Sequence, residues 1–473
     1  MESARTGEGE RQILKNKVEL ELPALHARTW FSYPMQQTLL YTSSSQLHYP
    51  AAESANMVTN FMGTSFLLTI FGGFISDSFF TRSTTFILFC IIELLGLVLL
   101  HFKLKYSSLQ PPINTRPSRS QATLLYTGLY TMATGVGGLI AATVMVWVEE
   151  NKGWNWSFKI SIIALSLALC LFAMGFPIYR HKRPIGSALT RVFKVLASAV
   201  RQRKASVVEM GNHNAISAAK RTPDKLRFLD KALCDDTITA AEVDETKTFL
   251  GLFPIFASTI MMNCCLAQLQ TFSVQQGNIM NRTLNNFKIP TQSLSVFPLT
   301  IMLVSIPLYE RFVHSFGSKV SPKYNIFLPL KRIGLGLALA SGSMAVAAVV
   351  EAKRRSATTQ NDAALSVFWL VWQYLLLGIS DMLTLGGMLE FFYSEAPDSM
   401  RSICTALSWC STSMGFFISS VLVSFTNLVS GQFGQEWLGG NDLNRTRLDL
   451  FYALLSILNL LNFINYVYWA NRY

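Results

Sequence analysis

Ten apolar runs punctuate the chain, at 57–76, 85–100, 124–148, 158–179, 248–269, 291–309, 333–350, 366–389, 403–429 and 450–470. A helix needs about 20 apolar residues to cross a hydrocarbon layer of about 30 Å, so the pattern predicts ten transmembrane helices. The runs are rich in Leu, Ile, Phe and Met with Gly inserted, which suits helices that face lipid and pack on one another through small residues. A membrane barrel would show short segments of alternating polarity instead. The predicted fold class is all-α, a polytopic membrane protein.

Polar stretches divide the runs into groups. Residues 1–55 form a polar N-terminal segment with Glu8, Glu10, Glu19 and Glu21 but without the basic, apolar, small-residue order of a cleaved signal. Insertion is then expected to be directed by the first span. Four spans fall within 56–180, a hydrophilic segment occupies 181–247, and six more spans fill 248–473. Two helical bundles joined by a cytoplasmic linker is the major facilitator pattern. Each half also carries polar punctuation at a span end: Gly73-Phe-Ile-Ser-Asp77 with Arg82 in the first, Pro307-Leu-Tyr-Glu310-Arg311 in the second.

Composition strengthens this picture and orients it. Only 14% of the 473 residues are charged, where a soluble protein carries about 25%. The net charge is +12, and 14 of the 40 Lys and Arg lie between Arg180 and Lys247 with eight acidic residues among them. Beside membrane spans such a block reads as a cytoplasmic loop, not as a nucleic-acid surface. With that loop inside, the cytoplasmic segments from 180 onward hold 21 Lys and Arg against seven outside, and the sequons Asn281-Arg-Thr283 and Asn444-Arg-Thr446 both face outward. In the first half a literal count of ten spans turns the Asp77–Arg82 segment outward. Six of the seven cysteines, Cys90, Cys170, Cys264, Cys265, Cys404 and Cys410, fall in apolar runs and are expected to be packing residues.

The residues also carry a family resemblance. Thr59-Asn-Phe-Met-Gly-Thr64, Gly72-Gly-Phe-Ile-Ser-Asp77-Ser-Phe, Val146-Trp-Val-Glu-Glu-Asn-Lys-Gly-Trp154, Leu226-Arg-Phe-Leu-Asp-Lys-Ala232, Phe272-Ser-Val-Gln-Gln-Gly277 and Leu389-Glu-Phe-Phe-Tyr-Ser-Glu-Ala-Pro397 closely resemble the plant nitrate/peptide transporters. These are the plant branch of the proton-coupled oligopeptide transporters, and the likeness is greatest to members associated with abscisic acid, gibberellin and low-affinity nitrate uptake. It implies a major facilitator fold with twelve helices, two more than the ten read here, and it places the Asp77–Arg82 turn on the cytoplasmic side against the literal charge count, so the direction of the first three spans stays open. The E-x-x-E-R motif of the family's first helix is absent, and Gly135-Val-Gly-Gly138 runs directly into Leu139-Ile-Ala-Ala, so that one span resembles the front of one family helix joined to the back of the next. The chain is therefore expected to be a spliced, mis-assembled or degenerated version of a longer transporter with an incomplete N-terminal bundle.

Candidate chemistry follows from intramembrane polar groups, which are expensive to bury and mark ion or substrate paths. By resemblance, Glu390 occupies the acidic position of the substrate cavity; its family partners are missing, so it is expected to be unpaired. Asp381 lies nearer mid-span beside Ser380 and Thr384 and, as a candidate on the substrate or proton path, could line the cavity or bond between helices, or serve structure alone; Glu93, within Ile91-Ile-Glu-Leu-Leu95, could serve either a proton relay or helix contact. Asn263 and Gln270, seven residues apart on one helix face, could hold a carboxylate or nitrate or could join helices. Trp409 and Tyr374 could line a cavity. Asp77, Arg82, Glu310 and Arg311 are expected to brace cytoplasmic helix ends. The six histidines are scattered and no nucleophile or phosphate-loop motif occurs, so neither an enzyme nor a cofactor is expected. The expected partners are membrane lipid, a small-molecule substrate and protons, at the plasma membrane.

Overall fold

The computed structural model describes residues 51–78, 154–174, 188–202, 226–235, 237–284, 287–289, 328–361, 364–396, 401–434, 436–439 and 443–473, with isolated positions at 152, between 84 and 98, and between 294 and 311. Helix α1 spans Ala51–Ser78 and α2 spans Trp154–Met174. In the hydrophilic segment, α3 covers Ala188–Arg201, a 3-10 turn covers Arg227–Cys234 and α4 covers Ala240–Gly251. The C-terminal half contains α5 (Phe253–Gln270), α6 (Phe272–Asn278), α7 (Pro329–Asn361), α8 (Val371–Glu395), α9 (Arg401–Gln432) and α10 (Leu448–Arg472). A two-residue ribbon, Thr283–Leu284 against Phe287–Lys288, is a minor exception to an all-helical chain among the described residues.

Five helical segments of the described residues are long and apolar enough to cross a membrane: Ala240–Asn278, Pro329–Thr359, Val367–Glu395, Leu407–Gln432 and Leu448–Arg472. They coincide with five of the six spans expected after residue 247. The first and fourth expected spans fall in α1 and α2. The span expected at 85–100 is described at nine of its 16 positions, all helical, whereas that at 291–309 lies largely, and that at 124–148 wholly, outside the described residues.

Local sequence explains the breaks. Thr239 and Glu242 close a reciprocal capping box at the start of α4, with Thr239 N donating to Glu242 Oε2 at 2.9 Å. The helix stops at Gly251 and restarts one residue later because Pro254, at the head of α5, has no N–H to continue the ladder. The expected boundary at 247 thus falls inside a helix that carries the span below the bilayer. Helix α5 is buried almost all round from Ile255 to Gln270, as a central helix must be. Its neighbours show lipid-facing stripes at helical spacing: Val421, Phe425 and Leu428 on α9, and Ile457, Leu460, Leu461 and Ile464 on α10, are exposed.

Small residues let the helices approach. Ser380 Oγ donates to the Gly336 carbonyl at 2.7 Å, and a Cβ at Gly336 would run into the Thr384 hydroxyl and come within 2.9 Å of the Ser380 carbonyl. Gly415 plays the same part between α9 and α5, where a Cβ would collide with Asn263 Cβ and lie 2.8 Å from the Ile260 carbonyl.

The pairing of α1 with α9 corrects the orientation given by charge counting. Asn56 Nδ2 donates to Ser424 Oγ at 3.1 Å, Ser413 Oγ donates to the Gly63 carbonyl at 2.5 Å, and Phe66 stacks on Trp409 with centroids 5.6 Å apart. Numbers rise along α1 as they fall along α9, so the helices are antiparallel. With 181–247 inside, α9 runs outward; α1 therefore runs inward and delivers Asp77 to the cytoplasmic side. The literal count erred because it rests on few charges in the first half, whereas packing is fixed by specific contacts.

Gly415→Leu is expected to destabilise the protein by about 1–3 kcal/mol through overpacking, read as a lower melting temperature of the purified, detergent-solubilised protein. Gly342→Ala, where a Cβ meets nothing within 4 Å, should melt like the wild type. Equal melting temperatures for all three would contradict this packing.

Candidate functional site

Glu390 lies near the C-terminal end of α8 and is not unpaired. Arg332 on α7 donates through NH1 to Glu390 Oε2 at 2.5 Å. The glutamate side chain remains 53% exposed while the arginine is nearly buried. The sequence reading sought a partner in the first half; the partner comes instead from the antiparallel neighbour within the same bundle. Gly386 makes this possible, because a Cβ there would sit 2.7 Å from the Arg332 guanidinium. A base at the head of an apolar span, in Leu330-Lys-Arg-Ile-Gly, was the sequence signal for it.

Asp381 stands nine residues earlier, at mid-span and partly buried. Among the described residues it has no hydrogen-bond or ion-pair partner. Thr384, three residues on and thus on an adjoining position of the helix surface, has a buried hydroxyl without a partner among the described residues. Ser380, one residue before Asp381 and one turn before Thr384, is already committed to Gly336. Among the described residues the arrangement leaves one carboxyl and one hydroxyl without a partner in the middle of the bundle.

The amides of α5 divide by use. Asn263 donates to the Thr259 carbonyl at 3.2 Å and to Ser411 Oγ at 3.1 Å, so its N–H groups join α5 to α9. Gln268 does the same one turn and a half further on, donating to Ser419 Oγ at 2.6 Å. Gln270 is buried, makes no hydrogen bond among the described residues, and its Oε1 is sealed without a partner. Of the expected amide pair, Gln270 alone is left available to a ligand. Trp409 is buried in its stack with Phe66, and the Tyr374 hydroxyl reaches the Leu269 carbonyl at 3.4 Å. Glu93, Arg82 and Glu310, and the side chain of Asp77, lie outside the described residues; Arg311 is exposed.

One charged cluster was not anticipated. Glu351 is 0% and Arg354 2% exposed, joined by two bonds of 2.8 Å. Gln276 of α6 donates to Glu351 Oε2 at 2.7 Å, Arg354 NH1 donates to Asn444 Oδ1 at 2.6 Å, and Arg355 pairs with Asp449 at 2.8 Å. The cluster ties α7 to α6, α10 and the turn before α10 at the outer end of the bundle. Its residues read as the polar flank of the run ending at 350, but α7 continues to Asn361, which folds them back into the protein. The i, i+3 spacing of Glu351 and Arg354 was the available sign. Arg354→Ala should cost about 3–5 kcal/mol, since it strands a buried carboxylate, whereas Glu351→Leu with Arg354→Met should cost much less. Thermal unfolding of the two variants checks this, and equal losses would contradict it.

Among the described residues no group of His, Cys, Asp and Glu is arranged to hold a metal ion. The profile of the POT family, PTR2, matches residues 130–438. Protein NRT1/PTR FAMILY 4.2 of Arabidopsis thaliana is 52% identical over 466 residues, covering 90% of this chain and 89% of the relative. Protein NRT1/PTR FAMILY 4.1 of the same plant is 48% identical over 478 residues, covering 92% and 90%. The POT family transporter PepTSo, solved in meso, superposes with a TM-score of 0.72 at 19% identity, covering 94% of this chain and 97% of that one. A POT family transporter solved with 5-aminolevulinic acid gives 0.62 at 14%, covering 94% and 95%. The family motifs and the helical major facilitator fold agree with these matches, and the chain belongs to the POT family, within its plant NRT1/PTR branch.

Proposed function

We propose that the protein is a proton-coupled secondary transporter of small anions, working by alternating access between the two halves, with nitrate, a hormone such as abscisic acid or gibberellin, or a peptide-like molecule as substrate. Family membership supports the transport class, and a related structure is described as a proton dependent oligopeptide family transporter. The plasma membrane is the proposed site, 181–247 the cytoplasmic linker between bundles, and the Asp77–Arg82 and Glu310–Arg311 segments the braces of the cytoplasmic helix ends.

The observation that carries the reading is the contrast within α8. Glu390 is tied to Arg332, while Asp381, deeper in the bilayer, has no partner among the described residues. A carboxyl that must bind and release a proton during each cycle needs a setting in which neither state is locked by a permanent cation. We therefore assign proton binding to Asp381 and a positioning role to Glu390, which holds α8 against α7. Gln270, whose amide is uncommitted, is the proposed substrate contact on α5; Asn263 and Trp409 shape the same region by fixing α5 and α1 against α9.

Uptake into proteoliposomes under an imposed inward proton gradient tests the assignment. Wild type should accumulate at least one of the candidate anions, Asp381→Asn should lose the dependence on the gradient, and Glu390→Gln should keep it at a reduced rate. Gradient dependence lost in Glu390→Gln and intact in Asp381→Asn would overturn the assignment. Absence of uptake by the wild type for every candidate would favour a second reading, a transport-incompetent relative acting as a sensor or interaction partner, which the missing E-x-x-E-R motif motivates.

A further inference from the structure

The hydrophilic segment 181–247 contains a small folded unit with a core of its own. Val195 and Ala199 of α3 pack with Leu229 and Ala232 of the 3-10 turn and with Ile238 and Val243. Lys247 pairs with Asp230 at 2.6 Å, Lys194 donates to the Thr237 carbonyl at 2.8 Å, and Ser198 donates to Asp235 at 3.2 Å. Asp235 also accepts from the Thr237 hydroxyl at 2.7 Å, which with the neighbouring backbone bond holds its carboxyl below the usual range. One face of α3 is therefore fully used.

The opposite face is not. Phe193 and Val200 are each 67% exposed, and Ala197 between them is exposed too. The three recur at i, i+4 and i+7, a continuous apolar stripe. Phe228 of the 3-10 turn is also exposed. Arg201 flanks the stripe in solvent, and from Arg180 to Val208 the sequence carries eight Lys and Arg and no Asp or Glu. The height of α3 is set by its packing: Val192 joins the same core as Phe249 and Leu252, at the point where α4 passes into the membrane-spanning α5. Arg191 pairs with Glu245 at 3.6 Å and Lys194 lies beside Asp235, but Arg201 at the end of the stripe is exposed, and an apolar stripe with a base at its edge, next to the start of a membrane span, matches an interfacial helix and the anionic cytoplasmic leaflet.

We propose that the Phe193–Ala197–Val200 face of α3 is a lipid-binding face that seats in the anionic headgroup layer of the cytoplasmic leaflet, anchoring the segment between the two halves. Its apolar side chains enter the acyl boundary while Arg201 and the neighbouring bases meet lipid phosphates. Such an anchor fixes the linker against the bilayer independently of substrate.

Hydrogen exchange of the full-length protein tests this in nanodiscs holding one copy each, made of phosphatidylcholine alone or with phosphatidylserine. Amides of α3 should exchange several-fold more slowly in the phosphatidylserine discs, and raising the salt should remove the difference. Phe193→Ser with Val200→Ser and Arg201→Glu should abolish the lipid effect while leaving the amides of α4 protected as in wild type. Exchange in α3 that is indifferent to lipid charge and to salt overturns the proposal. Protection that follows the number of protein copies per disc overturns it too, and assigns the face to a second copy of the chain. If the variant loosens α4, the salt response of the wild type alone decides.

Discussion

A polar group inside a lipid-embedded helix bundle has no water to turn to, so it must find its partner within the protein. In the C-terminal half nearly every polar contact follows from that constraint. Arg332 meets Glu390 at the cytoplasmic end, and Glu351 meets Arg354 and Gln276 at the outer end. Between them Asn263 and Gln268 fasten α5 to α9, and Asn459 reaches back to Cys265. Charged pairs thus close the two ends of the bundle and amide–hydroxyl pairs hold its middle. Some buried polar atoms find no partner among the described residues, the Ser408 hydroxyl and the carbonyl oxygens of Gln268 and Gln373 among them. Of such groups Asp381, Thr384 and Gln270 are the ones proposed to meet a proton and a substrate, because Asp381 is a carboxyl at mid-span, Thr384 lies one turn from it and Gln270 makes no hydrogen bond at all among those residues.

The same constraint shapes how the helices approach. Amide and hydroxyl bonds across helices require close backbones, and the glycines supply the room. Gly336 lets Ser380 reach across to α7, Gly386 accommodates the Arg332 guanidinium, and Gly415 admits Asn263. At the contact between the halves, Gly63 accepts the Ser413 hydroxyl beside the Phe66–Trp409 stack. Among the described residues this contact is built from small residues, one aromatic stack and a few hydroxyl bonds, with no buried charge, which suits the alternating access proposed for the protein.

Much of this architecture was legible in the chain. Apolar runs located the spans that the structure describes after residue 247, because that signal depends on composition over many residues. The motif Leu389-Glu-Phe-Phe-Tyr-Ser-Glu and its companions identified the family. What could not be read was partner choice. Glu390 and Arg332 are 58 residues apart, and only the register of two antiparallel helices brings them together. Glu351 lies one residue past the apolar run that ends at 350, and nothing in the hydropathy shows that the helix continues to Asn361. The direction of α1 stayed open between a thin charge signal and the family resemblance until the α1–α9 contacts showed the two helices antiparallel, and the folded unit around α3 was invisible because its core is a handful of residues scattered from Val195 to Val243.

The central claim is a division of labour on one helix, with Glu390 held by Arg332 as a structural tie and Asp381 left free to exchange its proton. Infrared difference spectroscopy of the reconstituted protein, recorded across a pH step, reports the carbonyl stretch of a carboxyl as it gains or loses its proton inside the bilayer. A band that vanishes in Asp381→Asn and persists in Glu390→Gln is the predicted result. A band that persists in Asp381→Asn and vanishes in Glu390→Gln would contradict it.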